Sequence, residues 1–452
     1  MIQLEERDIT PKLIIALIKG NDEAHYERLQ AYYEGETDII YRTMPRTTQP
    51  NNKLVNSFSS YIVDVSLGYF MGKPVSYTSL EEDMMEKFQD VFDNNDEADE
   101  NVELAKAMGI KGRVYEMLYV DEESQPRFGV VDPENAIIVY NNSINPEPIF
   151  AIRYYLIGNP EDEKEVKELY IEVYTTNKIY YYKGKDEDKP VLTLLREMDH
   201  PFSGVPIIEF ANNDERQGDF EKVLALIDGY DLSQSNSANT FEYNDDAILK
   251  IINMGDTKGE DLDDMRAQRA IKVEAGGDIA WVTKTENDTA IENYKNRLQD
   301  DIHRFSMTPD LTDEAFAGNL SGIALEFKLW GLEQKVAQKE RKFKRALQRR
   351  IELLCNFFKI KGFDYDWRDI SPIFTRNIPA NITDLVDMVV KLKGIVSDTT
   401  LLSQLPFIED PAEELALIAN EFDLDNIPEE IIPIDEEPIV DEPVITEEVP
   451  IE

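Results

Sequence analysis

The feature that most restricts this chain is a change of hydrophobic period along it. On either side of the middle, apolar residues recur every three or four positions, as on one face of a helix. Over residues 128–197 they instead form β-branched and aromatic runs, "FGVVDPENAIIVY", "PIFAIRYYLIG", "ELYIEVYTTNKIYYYKG" and "VLTLLREM", separated by clusters of Asn, Pro, Gly and Asp. That pattern predicts an antiparallel meander flanked by helices, an α+β protein. A chain of 452 residues exceeds what one core usually organises, so about two to four modules are expected, and 42% hydrophobic residues supply a sizeable core.

Ahead of the meander, Leu13, Ile14, Leu17, Ile18, Tyr26, Leu29 and Tyr33 predict a helix broken near Gly20 and Asn21. Leu54, Val55, Phe58, Ile62, Val65 and Tyr69 predict a second that Gly72 and Pro74 stop. Residues 80–118 read as helical across an acidic interruption. Beyond the meander, "HPFSGVPIIEFANNDERQGD" reads as a loop, and a helix then carries Phe220, Val223, Leu224, Ile227, Tyr230, Ala238 and Phe241 on one side. Its middle, "DLSQSNSANT", is too poor in large apolar residues for a thick core around it, and suits packing against copies of itself or lining water. Residues 247–285 predict a strand-helix-strand insert between this helix and another at 288–305.

In "MTPDLTDEAFAGN", Thr308 suits an N-cap, Pro309 the first helical position and Asp310 the first turn. Gly318 suits a left-handed helix end, and Asn319 or Ser321 can cap a following helix that reaches Phe358, roughly 55 Å long. Its C-terminal half bears Lys335, Lys339, Arg341, Lys342, Lys344, Arg345, Arg349 and Arg350, an island of positive charge that reads first as a solvated face suited to the helix dipole. A strand in "DYDWRDISPIFTRN" and helices at 382–393, 398–405 and 411–421 follow. Residues 427–452 hold no basic residue and repeated prolines, and read as a disordered or extended tail.

Charge and missing motifs exclude several functions. With 91 acidic against 47 basic residues the net charge is -44, so the chain lacks the basic footprint that tight binding to nucleic acid or anionic lipid requires. One cysteine, Cys355, allows no intrachain disulfide and reads as a small buried hydrophobe. The acidic N-terminus does not read as a signal peptide, and no apolar run approaches the roughly 18 residues of a membrane span, so a soluble, unsecreted chain is expected. "GNLSG" has no Gly-Lys-Ser/Thr end to serve phosphate and magnesium. His25, His200 and His303 lack metal spacing. "DNNDEADENVEL" fails as a calcium loop, with Ala98 where glycine and Leu104 where glutamate is needed. No nucleophile stands out, so neither catalysis nor a cofactor is expected.

"YYEGETDI" (32–39), "PNNKLVNSFSSYIVDVSLGYFMGKPVSY" (50–77) and "TPDLTDEAFAGNLSGIALEFKLWGLEQK" (308–335) resemble the portal proteins of tailed bacteriophages with long non-contractile tails. The resemblance covers most of residues 30–420 and implies a portal fold. Its parts would be a helical and β wing (1–218), stem helices at 219–246 and 288–306, an α/β clip (247–287) and a tunnel loop (307–322). A tunnel helix with a returning wing strand (323–378), a helical crown (379–426) and the acidic tail (427–452) would follow. It implies a homo-oligomeric ring, generally of twelve subunits, at one capsid vertex of the virion, assembled in the host cytoplasm with scaffolding and major capsid proteins. Double-stranded DNA would enter through the channel under a terminase, whose large subunit docks on the clip, and leave the same way after a head-completion adaptor replaces it. No ATPase activity is implied.

On that resemblance Thr308, Asp310, Asp313, Glu314 and Asn319 would face DNA, their acids repelling phosphate so that it slides. Gly318, Ser321 and Gly322 would form a hinge between loop and helix, with plain helix capping as the simpler role. Asp256, Lys258, Asp261, Asp264 and Arg266 would contact terminase and adaptor, and Lys339, Lys342, Arg345 and Arg349 would pair with acidic surfaces of adjacent subunits. Two other readings remain at this level: a monomeric acidic binding or scaffold protein, favoured by the tail and net charge, and a hydrolase acting through scattered carboxylates.

Overall fold

The computed structural model describes residues 2–4, 9–45, 49–79, 81–158, 167–185, 190–244, 248–252, 278–282, 288–312, 322–377 and 388–402, with a few positions between 405 and 419. It mixes helix and sheet, as the change of period requires, and divides into two compact units, Met1–Ile378 and Pro379–Glu452.

In the first unit, α1 (Pro11–Lys19) starts with the Thr10 hydroxyl accepting from the Leu13 amide, and α2 (Glu23–Tyr33) with the Asp22 carboxylate accepting from the His25 amide. Between them Asn21 Nδ2 donates to the Pro133 carbonyl at 2.7 Å and to the Tyr154 hydroxyl at 2.9 Å, tying the helix pair to the sheet. α3 (Phe58–Met71) begins later than its periodicity suggests. α4 (Glu82–Asn94) and α5 (Glu97–Lys111) meet at Asp96, whose φ of 47° breaks the helix.

Two segments correct the sequence reading. Residues 113–118 are not helix but part of β3 (Arg113–Val120). Gly112 ends α5 at φ 78°, and a Cβ there would lie 2.0 Å from the Arg216 carbonyl oxygen, so glycine is required and the chain turns into "RVYEMLYV". The segment taken as a loop after residue 200 contains β10 (Ile207–Ala211), which pairs antiparallel with β3, and β3 pairs with β4 (Pro126–Val131).

The meander forms a six-stranded sheet with β1 (Ile2–Gln3), β5 (Ala136–Tyr140), β6 (Pro148–Ile157), β7 (Glu168–Tyr174), β8 (Lys178–Lys185) and β9 (Thr193–Asp199) in that order. β1 joins parallel to β5, and the other neighbours are antiparallel. β5 reads as a continuous apolar run because both of its faces are covered. Ile137 and Val139 pack in one core with Ile14 of α1, while Ala136 and Ile138 pack in another with Tyr115 and Ile207 of the smaller sheet. A short pair, β2 (Ser76–Thr78) with β13 (Ser371–Ile373), returns the end of the unit to its beginning.

Three long helices complete the unit: α6 (Leu224–Asn244), α7 (Asp288–Ser306) and the 39-residue α8 (Gly322–Ile360). Between α6 and α7, β11 (Ile248–Ile252) and β12 (Asp278–Val282) pair antiparallel, as expected of the outer strands of the insert. The rest of the insert lies outside the described residues. α8 carries the largest core, in which Leu332, Val336, Phe343, Leu347, Ile351 and Leu354 pack with residues of α3, α4, α5 and the small sheet. Cys355 is buried in that core, and thiol burial raises its pKa to about 12.

The small polar residues of α6 have a use that sequence reading did not find. Residues 37–45 and 49–56 run beside the helix as a strap. Arg42 donates to Asn236 at 3.0 Å, the Asn52 amide to Asn239 at 2.7 Å, the Leu54 amide to Ser235 at 2.9 Å and the Asn56 amide to Asp231 at 2.9 Å. Those backbone bonds explain why Leu54 and Val55, read as helical, lie ahead of α3. Asp231 is fully buried; that burial raises its pKa, against the donors Thr37 and Asn56 that hold its charged form.

In the second unit, residues 388–392 are helical and α9 (Asp398–Leu402) buries Leu401. The tail at 427–452 lies outside the described residues.

Candidate functional site: the junction of α7 and α8 and the basic face of α8

The segment after α7 is stapled rather than helical. Residues 308–310 have no helical assignment, so Thr308 does not cap a helix with Pro309 in its first turn. Met307 takes φ 55°, turning the chain back under α7. The Thr308 amide donates to the His303 carbonyl at 3.2 Å, and its own carbonyl lies 3.0 Å from His303 Nδ1. Thr308 is 1% exposed. The expectation that its side chain faces DNA is therefore corrected: these bonds hold it inside its own chain.

Tyr61 of α3 fixes the next residues. Its hydroxyl donates to the Pro309 carbonyl at 3.0 Å and accepts from the Leu311 amide at 2.8 Å. Asp310 accepts from the Thr312 amide at 2.9 Å and from Gln299 at 3.1 Å, with His303 Nε2 at 3.8 Å. Burial works against its charge, but the Thr312 and Gln299 bonds and His303 outweigh it, and its pKa is lowered. Asp310 thus keeps its negative charge while part-buried. Asp313, Glu314, Gly318, Asn319 and Ser321 lie outside the described residues; Gly322 is the first residue of α8. Asp256, Lys258, Asp261, Asp264 and Arg266 also lie outside them.

α8 joins this junction through Lys335, whose Nζ donates to the Ser306 carbonyl at the end of α7, 3.2 Å away, and stands 3.5 Å from Asp219. One turn on, Lys339 Nζ donates to the same carboxylate at 2.7 Å and to the Ser66 hydroxyl of α3 at 3.3 Å. Asp219 also accepts from Asn212 Nδ2 at 3.1 Å. One buried carboxylate thus faces two ammonium groups. Burial disfavours its charge, yet Lys335 and Lys339 prevail and its pKa is lowered. Burial, with repulsion from Lys339 adding to it, lowers the Lys335 pKa to about 8 despite Asp219.

The basic island therefore splits. Lys339 is 2% exposed and ion-paired within its own chain, which removes it from the surface expected to meet a neighbour. Arg350 is fully buried: its guanidinium donates to Glu116 of β3, to Glu97 of α5 at 3.0 Å and to Asn101 at 2.9 Å. Arg349 pairs with Glu352 one turn on, at 2.7 Å, and Lys342 with Asp214. Arg345 is exposed and, among the described residues, bonds only the Asn145 side chain, at 3.2 Å. Among the described residues, no carboxylate pairs with Arg341, Lys344 or Arg345.

No group of His, Cys, Asp or Glu among the described residues is arranged to hold a metal ion, and no helix among them is long and apolar enough to cross a membrane. Comparison with known proteins gives a consistent picture. The family described as phage portal protein, SPP1 Gp6-like, matches residues 16–426. The portal protein of Bacillus phage SPP1 is 28% identical over 414 residues, covering 87% of this chain and 80% of that one. That of Clostridium phage phiCD119 is 27% identical over 440 residues, covering 90% and 95%.

Proposed function

The chain belongs to the SPP1 Gp6-like phage portal protein family, an oligomeric component of the phage head, and from that premise we propose that it forms the ring-shaped DNA channel at one capsid vertex. The observation that carries the reading is a family match running from residue 16 to residue 426, through every element described above for the first unit from α2 to β13. The ring, generally of twelve subunits, passes double-stranded DNA inward during packaging and outward at ejection. Terminase and then a head-completion adaptor dock on the clip, and scaffolding and major capsid proteins join during assembly in the host cytoplasm.

The geometry supports a division of labour. α6 and α7 are the stem helices, with the β11 and β12 pair opening the clip between them. In the clip, Asp256, Lys258, Asp261, Asp264 and Arg266 make the docking contacts. Asp310, Asp313, Glu314 and Asn319 line the channel, where like charge keeps phosphate from adhering. Gly318, Ser321 and Gly322 let the backbone move between a junction stapled by Tyr61 and a long rigid helix. Lys342, Arg345 and Arg349 lie toward adjacent subunits and lessen the repulsion among chains of net charge -44.

The test is genome packaging in the phage that carries this chain. Replacing the gene should give heads without DNA, and supplying the wild-type protein should restore filled heads. Gly318→Pro with Gly322→Pro should restore empty heads only. Filled heads in the absence of the protein contradict the function, whereas normal filling by the proline variant contradicts the hinge alone.

A further inference from the structure

An acidic cavity of about 730 Å3 opens between β2, α4 and the start of α5, lined by Tyr77, Met85, Phe92, Asp93, Asp96 and Asp99. The three aspartates are exposed and, among the described residues, have no cation within ion-pairing distance. The Tyr77 and Phe92 rings lie 4.6 Å apart, tilted at 34° to each other, on the apolar side of the cavity. Carboxylates over an aromatic wall form a receptor for guanidinium or ammonium groups, which such rings attract through their faces. Elsewhere in the same unit, α8 presents Arg341, Lys344 and Arg345, the members of the basic island that have no carboxylate partner among the described residues.

We propose that these two surfaces are halves of one contact: Arg341, Lys344 and Arg345 of one copy enter the Asp93, Asp96 and Asp99 cavity of the next. This rests on the ring reading above and deepens it by naming the partner surface. A contact between two different patches of the same chain is heterologous, the kind that closes into a ring when the rotation per copy allows. The charge pattern favours a second copy as occupant. In a chain of net charge -44, copies repel at long range, so their attraction must come from short-range pairs placed where cations stay unpaired within each subunit.

The experiment is a charge swap on the full chain, with assembly read by native mass spectrometry and ring images, and folding checked by far-ultraviolet circular dichroism. Arg341→Glu with Arg345→Glu, or Asp93→Lys with Asp99→Lys, should each raise the concentration needed for ring formation at least tenfold. The four substitutions in one chain should recover assembly, because each patch again meets its opposite. For any reversal that impairs folding, Arg341→Gln with Arg345→Gln replaces it, and its deficit relative to wild type should shrink as salt rises. Reversals that assemble like wild type, or a folded fourfold variant that does not recover, overturn the contact while leaving the ring intact. A wild-type chain that forms no ring at any concentration, alone or co-expressed with the scaffolding and major capsid proteins of its phage, overturns the ring reading itself, and the contact with it.

Discussion

Lys339 of α8 and Asp219, the residue that follows the turn after β10, form a 2.7 Å ion pair with both side chains almost fully buried. Around it meet α3 through Ser66, α5 through the Gly109 backbone, where a Cβ would lie 3.1 Å from the Asp219 carboxylate, and α7 through Lys335 and Ser306. This one carboxylate therefore joins the long helix to the elements that precede it and to the segment that follows α7.

Removing that carboxylate leaves two ammonium groups buried without compensation. Asp219→Ala should destabilise the chain by about 3–5 kcal/mol, measured by urea denaturation. Lys335 adds a pH dependence. Its folded pKa, near 8, lies below the ordinary lysine value, so as pH rises the folded chain releases the proton before the unfolded chain does. The unfolded state then binds more protons, and stability should climb between about pH 8 and 10. Lys335→Met should abolish that climb; a variant that keeps it assigns the effect elsewhere.

Arg350 poses the same question with a forked group. It bonds Glu116, Glu97 and Asn101 while fully buried, and its guanidinium lies over the Phe128 ring at 4.4 Å. Arg350→Lys keeps the charge but cannot reach three acceptors at once, so it should lose about 2–3 kcal/mol, and Arg350→Ala about 3–5 kcal/mol, in the same denaturation measurement.

Tyr61 holds the segment that follows α7. Tyr61→Phe removes a hydroxyl that accepts from Leu311 and donates to Pro309. The expected result is faster hydrogen exchange at the Leu311 amide with a global stability loss of only about 1 kcal/mol. Unchanged exchange at that amide would show that the staple does not hold the segment.

Sequence made the α+β class, the meander, the insert strands and the length of α8 readable, because each rests on a local period. It misassigned residues 113–118, where the deciding fact was a glycine forced by the distant Arg216 carbonyl. It also took the basic island as one solvated face. A signal was present: Lys339 and Arg350 fall in phase with Leu332, Val336, Phe343, Leu347 and Leu354, so a cation at either position is directed into the core. Their partners, Asp219 and Glu116, lie 120 and 234 residues away in sequence, beyond any local pattern. Likewise "DLSQSNSANT" read as a helix packed against copies of itself or lining water, and nothing local in it shows that residues 37–45 and 49–56 bond to it. The burial of Thr308 follows from contacts that no motif encodes.

The central claim is a ring with a channel, and electron microscopy of the purified full-length protein, with its solution mass taken on the same sample, tests it most directly. The account predicts closed rings of many copies, generally twelve, around a central opening. A protein that stays monomeric alone and also when co-expressed with the scaffolding and major capsid proteins of its phage would contradict it, and would favour a monomeric acidic binding protein instead.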